Sequence, residues 1–169
     1  MPELNHGDGL FRAYCSPMTT TERKTRVDLA RKAPAVYKAM IALDAAARQG
    51  LDPELVELVL TRCSQINHCA WCIDMHTADA RKIGIGEQKL FLLGAWEEMH
   101  GLYTGKERAA LALAESITVL TDGFVPDAVY EEAEEHFDET ELAQLISLVL
   151  TINAWNRIAV STRKIPRVR

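Results

Sequence analysis

Asp52-Pro53-Glu54-Leu55-Val56-Glu57-Leu58-Val59-Leu60-Thr61-Arg62-Cys63-Ser64-Gln65-Ile66-Asn67-His68-Cys69-Ala70-Trp71-Cys72-Ile73-Asp74-Met75-His76 is the stretch from which the fold reads. Asp52 before Pro53 makes an N-cap followed by proline at the first helical position, where its missing N–H costs nothing. Leu55, Leu58, Val59 and Ile66 then recur along a helix, with Glu57 set among them. Asn67-His68 interrupts that helix. A second one is predicted from about Cys69 to Ile83, closed by Gly84.

The same punctuation continues outward. Val36, Met40, Leu43 and Ala47 repeat at helical spacing between Ala33 and Arg48, and Gly50 stops that helix. Thr104 with Glu107 forms a capping box for a helix through Leu120, and Asp122-Gly123 is a turn. Pro126 opens a helix to about Phe137. Asp138 with Glu141 caps a long apolar one, Leu142 to about Arg157 or beyond. No stretch alternates at period two between turns, so the expected fold class is all-α, a compact multi-helix domain over residues 22–169. Residues 1–21, with Leu10, Phe11 and Tyr14 as their only apolar anchors, are expected to form an irregular N-terminal arm. Glu54–Thr61 with Ile66-Asn67 also looks distantly like Glu141–Thr151 with Ile152-Asn153, a match that needs gaps and decides nothing.

Composition narrows the function. At 169 residues the chain suits one domain with a sizeable core. Its 24 Asp and Glu exceed 19 Lys and Arg, so it lacks the basic excess of a nonspecific nucleic-acid binder. Apolar runs break well before the roughly 20 residues that cross a bilayer, and residues 1–13 hold no apolar signal core. A soluble, cytoplasmic protein that engages neither nucleic acid nor membrane is expected. Four cysteines are too few for a disulfide scaffold, yet three fall within residues 63–72.

Cys69-Ala70-Trp71-Cys72 is followed four residues later by His76. Helix positions three and four apart share a face with Cβ atoms about 5–6 Å apart, so the three side chains form one stripe. The i, i+3 cysteines can close a disulfide with little backbone movement. The positive helix end favours a thiolate in the first turn, which points to Cys69 as the more acidic thiol. His76 is the nearby group suited to take a thiol proton. Glu57 is a second candidate, provided its helix folds back after Asn67. The same residues also permit inert buried cysteines, a core histidine and a solvated acid. A structural zinc site of Cys63, Cys69, Cys72 and His76 is a third possibility. Because Cys69 and His76 stand about 10 Å apart along a continuous helix, one small ion is awkward to share and no metal is expected. Cys63 and Cys15 are assigned to packing or incidental exposure.

The run Ser64–His76, with Glu57 twelve positions before Cys69, resembles the AhpD-like alkylhydroperoxidase branch of the carboxymuconolactone decarboxylase family. Ile152-Asn153-Ala154-Trp155-Asn156-Arg157 resembles another segment of that branch, and the likeness covers roughly residues 20–165. It implies an AhpD-like all-helical fold, assembled as a homotrimer or homohexamer, and a peroxidase acting on organic hydroperoxides or hydrogen peroxide. By this resemblance Cys72 attacks the peroxide, Cys69 resolves the sulfenic acid as a disulfide, and Glu57 with His76 relays protons. No bound cofactor is implied; an external dithiol or lipoyl-bearing partner supplies electrons. The chain departs from the pattern at Trp71, where the enzyme that names the branch carries histidine, and His68 is the neighbouring candidate to replace it. A carboxymuconolactone-type decarboxylase is the enzymatic alternative, and a helical oligomer with structural zinc or inert cysteines the non-enzymatic one. Glu131, Glu132, Glu134 and Glu135, like the basic tail Arg163, Lys164, Arg167 and Arg169, read as solvated faces. Trp71, Trp96 and Trp155 read as core or interface fillers.

Overall fold

A computed structural model describes residues 26–166 and 168, so the expected N-terminal arm and Cys15 lie outside the described residues. Among the described residues eight α-helices follow one another: α1 (Leu29–Lys32), α2 (Pro34–Ala47), α3 (Pro53–Ile66), α4 (Ala70–Lys82), α5 (Glu87–Phe91), α6 (Gly105–Thr118), α7 (Asp127–His136) and α8 (Glu139–Thr162). A 3-10 segment, Leu93–Glu98, links α5 to the approach to α6. Among the described residues there is no strand, and the all-helical class expected from the sequence is what they form.

Local signals place most helix ends. Asp52 accepts from the backbone N–H of Glu54 and Leu55. Thr104 with Glu107, and Asp138 with Glu141, each close a reciprocal capping box. Pro126 is the N-cap of α7 and stands one place outside the helix it was expected to begin. The chain between α3 and α4 turns most tightly. His68 adopts φ +53°, its N–H reaches Gln65 O at 3.1 Å, and the Cys69 N–H reaches Ser64 O at 2.9 Å. That pair of bonds is a Schellman stop, with histidine in the left-handed position that glycine usually fills. Gly84 closes α4 by the same device, at φ +94°. Short α1, short α5 and the 3-10 segment carry too few residues for periodicity to register, and the sequence gives no sign of them.

Helix α3 runs through the centre. Leu55, Val56, Val59 and Leu60 pack with Leu113 of α6 and Leu145, Leu148 and Ile152 of α8. Leu58 faces the other way, onto Leu93, Trp96 and Leu111. Burying a side chain of this size contributes about 1.5–3 kcal/mol, so apolar residues on two faces fix α3 in the middle.

Helix α2 departs from expectation. Val36 and Leu43 are exposed, and of the expected stripe only Ala47 is buried. The inward stripe is rotated to Tyr37, Met40, Asp44, Ala47 and Arg48. Tyr37 sets its ring edge-on to Trp155 of α8, with centroids 5.2 Å apart. A search for apolar periodicity passes over this register because two of its five members are charged.

An amide cluster staples the α3–α4 turn to α8. Asn67 Nδ2 lies 2.9 Å from Asn153 Oδ1 and 3.0 Å from Asn156 Oδ1, so the asparagines of the two look-alike segments meet. Asn156 Nδ2 donates in turn to Ser64 Oγ at 3.0 Å. Among the described residues no helix is long and apolar enough to cross a membrane.

Replacing Asn67 with Ala leaves the fully buried Asn156 Oδ1 without this donor, which costs about 1–3 kcal/mol. At this chain length each kcal/mol lowers the melting temperature by roughly 2–4 °C. Calorimetry of N67A is expected to show that loss, and an unchanged melting temperature contradicts the staple.

Candidate active site

The turn that ends α3 also begins α4. Cys69, expected inside the helix, is its N-cap, and its Sγ accepts the Cys72 backbone N–H at 3.3 Å. The two cysteines are joined as a disulfide with Cα atoms 5.4 Å apart, the separation one helical turn allows. One turn further, His76 follows Cys72 on the same face, and both are buried.

Folding α4 back along α3 brings Glu57 to this stripe. Glu57 Oε2 lies 3.0 Å from His76 Nδ1, with 7% of Glu57 and 2% of His76 exposed. The other carboxylate oxygen accepts from Arg48 Nη1 at 3.0 Å, and Arg48 Nε donates to Asp44 Oδ2 at 2.9 Å. Asp44, Arg48, Glu57 and His76 thus form one continuous chain of polar contacts across three helices. Burial pulls the Arg48 guanidinium down, yet contacts with Asp44 and then Glu57 hold it above the ordinary arginine value. A carboxylate bound to arginine offers only acceptors, so the hydrogen between Glu57 and His76 sits on Nδ1. In the neutral ring Nε2 is then the free acceptor.

A cavity of about 780 Å³ opens onto Cys72 and His76. Tyr37 and Ile41 of α2 and its C-cap Arg48 border it, with Trp71 and Met75 of α4 and Ile152 and Trp155 of α8. Neither Cys69 nor Glu57 reaches its wall. The pair is therefore divided by position: Cys72 toward the cavity, Cys69 at the electropositive helix start.

The four site residues named from sequence are brought together, and two residues behind them were missed: Arg48, which pairs with Glu57, and Asp44, which holds Arg48. Asp44 and Arg48 carried a usable signal in their i, i+4 spacing at the end of α2, four residues ahead of the Asp52 cap. Other candidates stand apart. His68 is exposed at the turn and does not line the cavity. Trp71 does, with the Lys164 ammonium 4.1 Å above its ring. Trp96 is buried and donates to Glu115. Cys63 accepts from Thr118 Oγ1 at 3.3 Å, and its burial pushes the thiol up to about 12. Among the described residues no group of three or more His, Cys, Asp or Glu side chains is arranged to hold a metal ion.

These features define an all-helical domain with a cysteine pair at a helix start, backed by a buried acid–imidazole contact and opening on a cavity. Residues 34–116 match the carboxymuconolactone decarboxylase family, and the chain belongs to that family. It is 41% identical over 137 residues to the uncharacterized protein YdfG of Bacillus subtilis, spanning 80% of this chain and 92% of the relative. A crystal structure from Agrobacterium tumefaciens, of a protein of unknown function named as a candidate antioxidant defence protein AhpD, superposes with a TM-score of 0.83. That pair is 35% identical over 86% of this chain and all of the other. An uncharacterized peroxidase-related protein from Ralstonia eutropha, described as an alkylhydroperoxidase AhpD core, shares the fold with a TM-score of 0.71. It is 21% identical, over 82% of this chain and 74% of that one.

The burial of Cys63 sets up a contrast in reactivity. Burial pushes the Cys63 thiol up to about 12 and keeps it protonated at pH 8, whereas Cys72 lines the cavity. Peptide mapping of the reduced, folded protein after brief iodoacetamide treatment at that pH is expected to find Cys72 alkylated and Cys63 untouched. Equal labelling of the two contradicts this arrangement.

Proposed function

We propose that the protein is a thiol-dependent peroxidase that reduces organic hydroperoxides or hydrogen peroxide through the Cys69/Cys72 pair. The observation that carries this reading is the placement of Cys72 and His76 on one cavity wall, with Glu57 hydrogen-bonded behind His76. In the reduced state His76 Nε2 takes the Cys72 proton, and Glu57 stabilises the imidazolium that results. The thiolate attacks the outer peroxide oxygen and the O–O bond breaks. Cys72 becomes a sulfenic acid, and the departing alkoxide takes the proton from His76. Cys69, one turn away, then displaces hydroxide from the sulfenic sulfur, giving the disulfide and water. An external dithiol, on a small molecule or a lipoyl-bearing partner, returns the two electrons by exchange, so no bound cofactor is needed.

The division between the cysteines supports the order of these steps, since a peroxide entering the cavity meets Cys72 first. Cys69 at the N-cap suits the leaving role, because the helix start stabilises its thiolate when the reductant opens the disulfide. With Trp71 between the cysteines and His68 outside the cavity, His76 is the imidazole that serves the reaction. A decarboxylase of the wider family is less well supported, because its chemistry has no evident use for a cysteine pair of which Cys72 meets the cavity. We take the working unit to be a homotrimer or homohexamer acting in the cytoplasm, as the resemblance to the AhpD-like branch implies.

Steady-state peroxide reduction with a dithiol donor tests the proposal. C72S is expected to abolish turnover, and C69S to leave a sulfenic acid that dimedone traps. E57Q is expected to lower kcat/KM by about 10²–10⁴. Wild-type turnover that persists in C72S overturns the assignment.

A further inference from the structure

We propose that Arg48 is a positioning residue for the thiol chemistry: from the end of α2 it holds Glu57 in the orientation that fixes His76 with Nε2 as the free acceptor, on the cavity wall that His76 shares with Cys72. The inference rests on the Glu57–His76 relay of the preceding reading and extends it to a residue on a third helix.

The geometry leaves Glu57 little choice. Its two oxygens are divided between Arg48 Nη1 and His76 Nδ1, each at 3.0 Å, and the residue is buried. Arg48 is itself fixed, through Nε, by Asp44 one turn earlier. Removing the guanidinium strands a buried carboxylate, whose cheapest response is to take a proton. A protonated Glu57 can then donate to His76 Nδ1. The neutral imidazole must in that case carry its own hydrogen on Nε2, and it no longer accepts from Cys72. Arg48 thus sets which ring nitrogen is the base without touching sulfur or peroxide.

The remaining charged groups around the cavity are otherwise engaged. Asp79 of α4 pairs with Lys82. Ahead of α1, Arg26 donates to Ser161 O and Asp28 accepts from the Arg31 N–H. Beyond α8, Lys164 sits on the Trp71 ring. Cys63, packed deeper with Thr118, is too weak an acid to interfere.

The test uses the full chain in a C69S background, reduced, with iodoacetamide alkylation of Cys72 followed against pH by peptide mass spectrometry. R48M and R48Q are expected to move the midpoint upward by about one unit, a tenfold loss of thiolate near neutral pH. R48K, which keeps the charge, is expected to stay close to the parent profile. Imidazole ¹⁵N shifts are expected to report the Nδ1–H form of His76 in the parent and R48K, and the Nε2–H form in R48Q. R48Q keeps a donor amide and much of the side-chain volume, so it reads out the charge should R48M fail to fold. Superimposable profiles for R48Q and the parent overturn the proposal, as does an R48K profile displaced as far as that of R48Q. If the profiles separate but the protein reduces no peroxide, the peroxidase reading fails and the role of Arg48 stands. Peroxide turnover with coincident profiles has the opposite meaning.

Discussion

The reversal of the chain between Ile66 and Ala70 is the constraint on which the site depends. Within these few residues α3 stops, His68 turns left-handed, and the Cys69 sulfur caps the next helix. Because α4 then runs back along α3, Glu57 meets His76, nineteen residues later, at hydrogen-bond distance. A continuous helix would place those residues nearly 30 Å apart, given a rise of about 1.5 Å per residue. The left-handed histidine is a local cost of about 1–2 kcal/mol, offset by the amide cluster that ties Asn67 to Asn153 and Asn156.

That reversal also explains how one short segment serves structure and chemistry together. Cys69 is at once the residue that completes the stop of α3 and the residue that starts α4, so its position is fixed from both sides. Cys72 and His76 follow from helical geometry alone. Leu55, Val56, Val59 and Leu60, locked in the core on the same helix as Glu57, hold the carboxylate in register with the imidazole. The Asp44–Arg48 pair closes the arrangement from α2 and gives the buried acid a counter-charge.

Much of this was legible in the sequence, for identifiable reasons. Capping boxes at Thr104 and Asp138, the Asp52-Pro53 start and the Gly84 stop are local signals whose chemistry is complete within four residues. They therefore place α3, α4, α6 and α8 without knowledge of the fold. The Cys69, Cys72 and His76 stripe is likewise a property of one helix. Glu57 was legible only on the condition that α3 folds back, which is a tertiary event. The inward register of α2 was not legible from apolar spacing, because Asp44 and Arg48 occupy core-facing positions for the sake of a partner on another helix. Short α5 is tied through Lys89 to Glu54 and Glu107, and the 3-10 segment through Trp96 to Glu115 and Arg108, contacts between helices that no local pattern announces.

The central claim is that two adjacent sulfurs exchange electrons with a peroxide while an acid and an imidazole manage the proton. The most direct measurement mixes fully reduced protein with one equivalent of hydroperoxide, without reductant, and assays both partners after a single turnover. The account predicts one equivalent of alcohol and the loss of two thiols per chain, recovered as a Cys69–Cys72 disulfide in the mapped peptides. Intact hydroperoxide alongside two free thiols would contradict it.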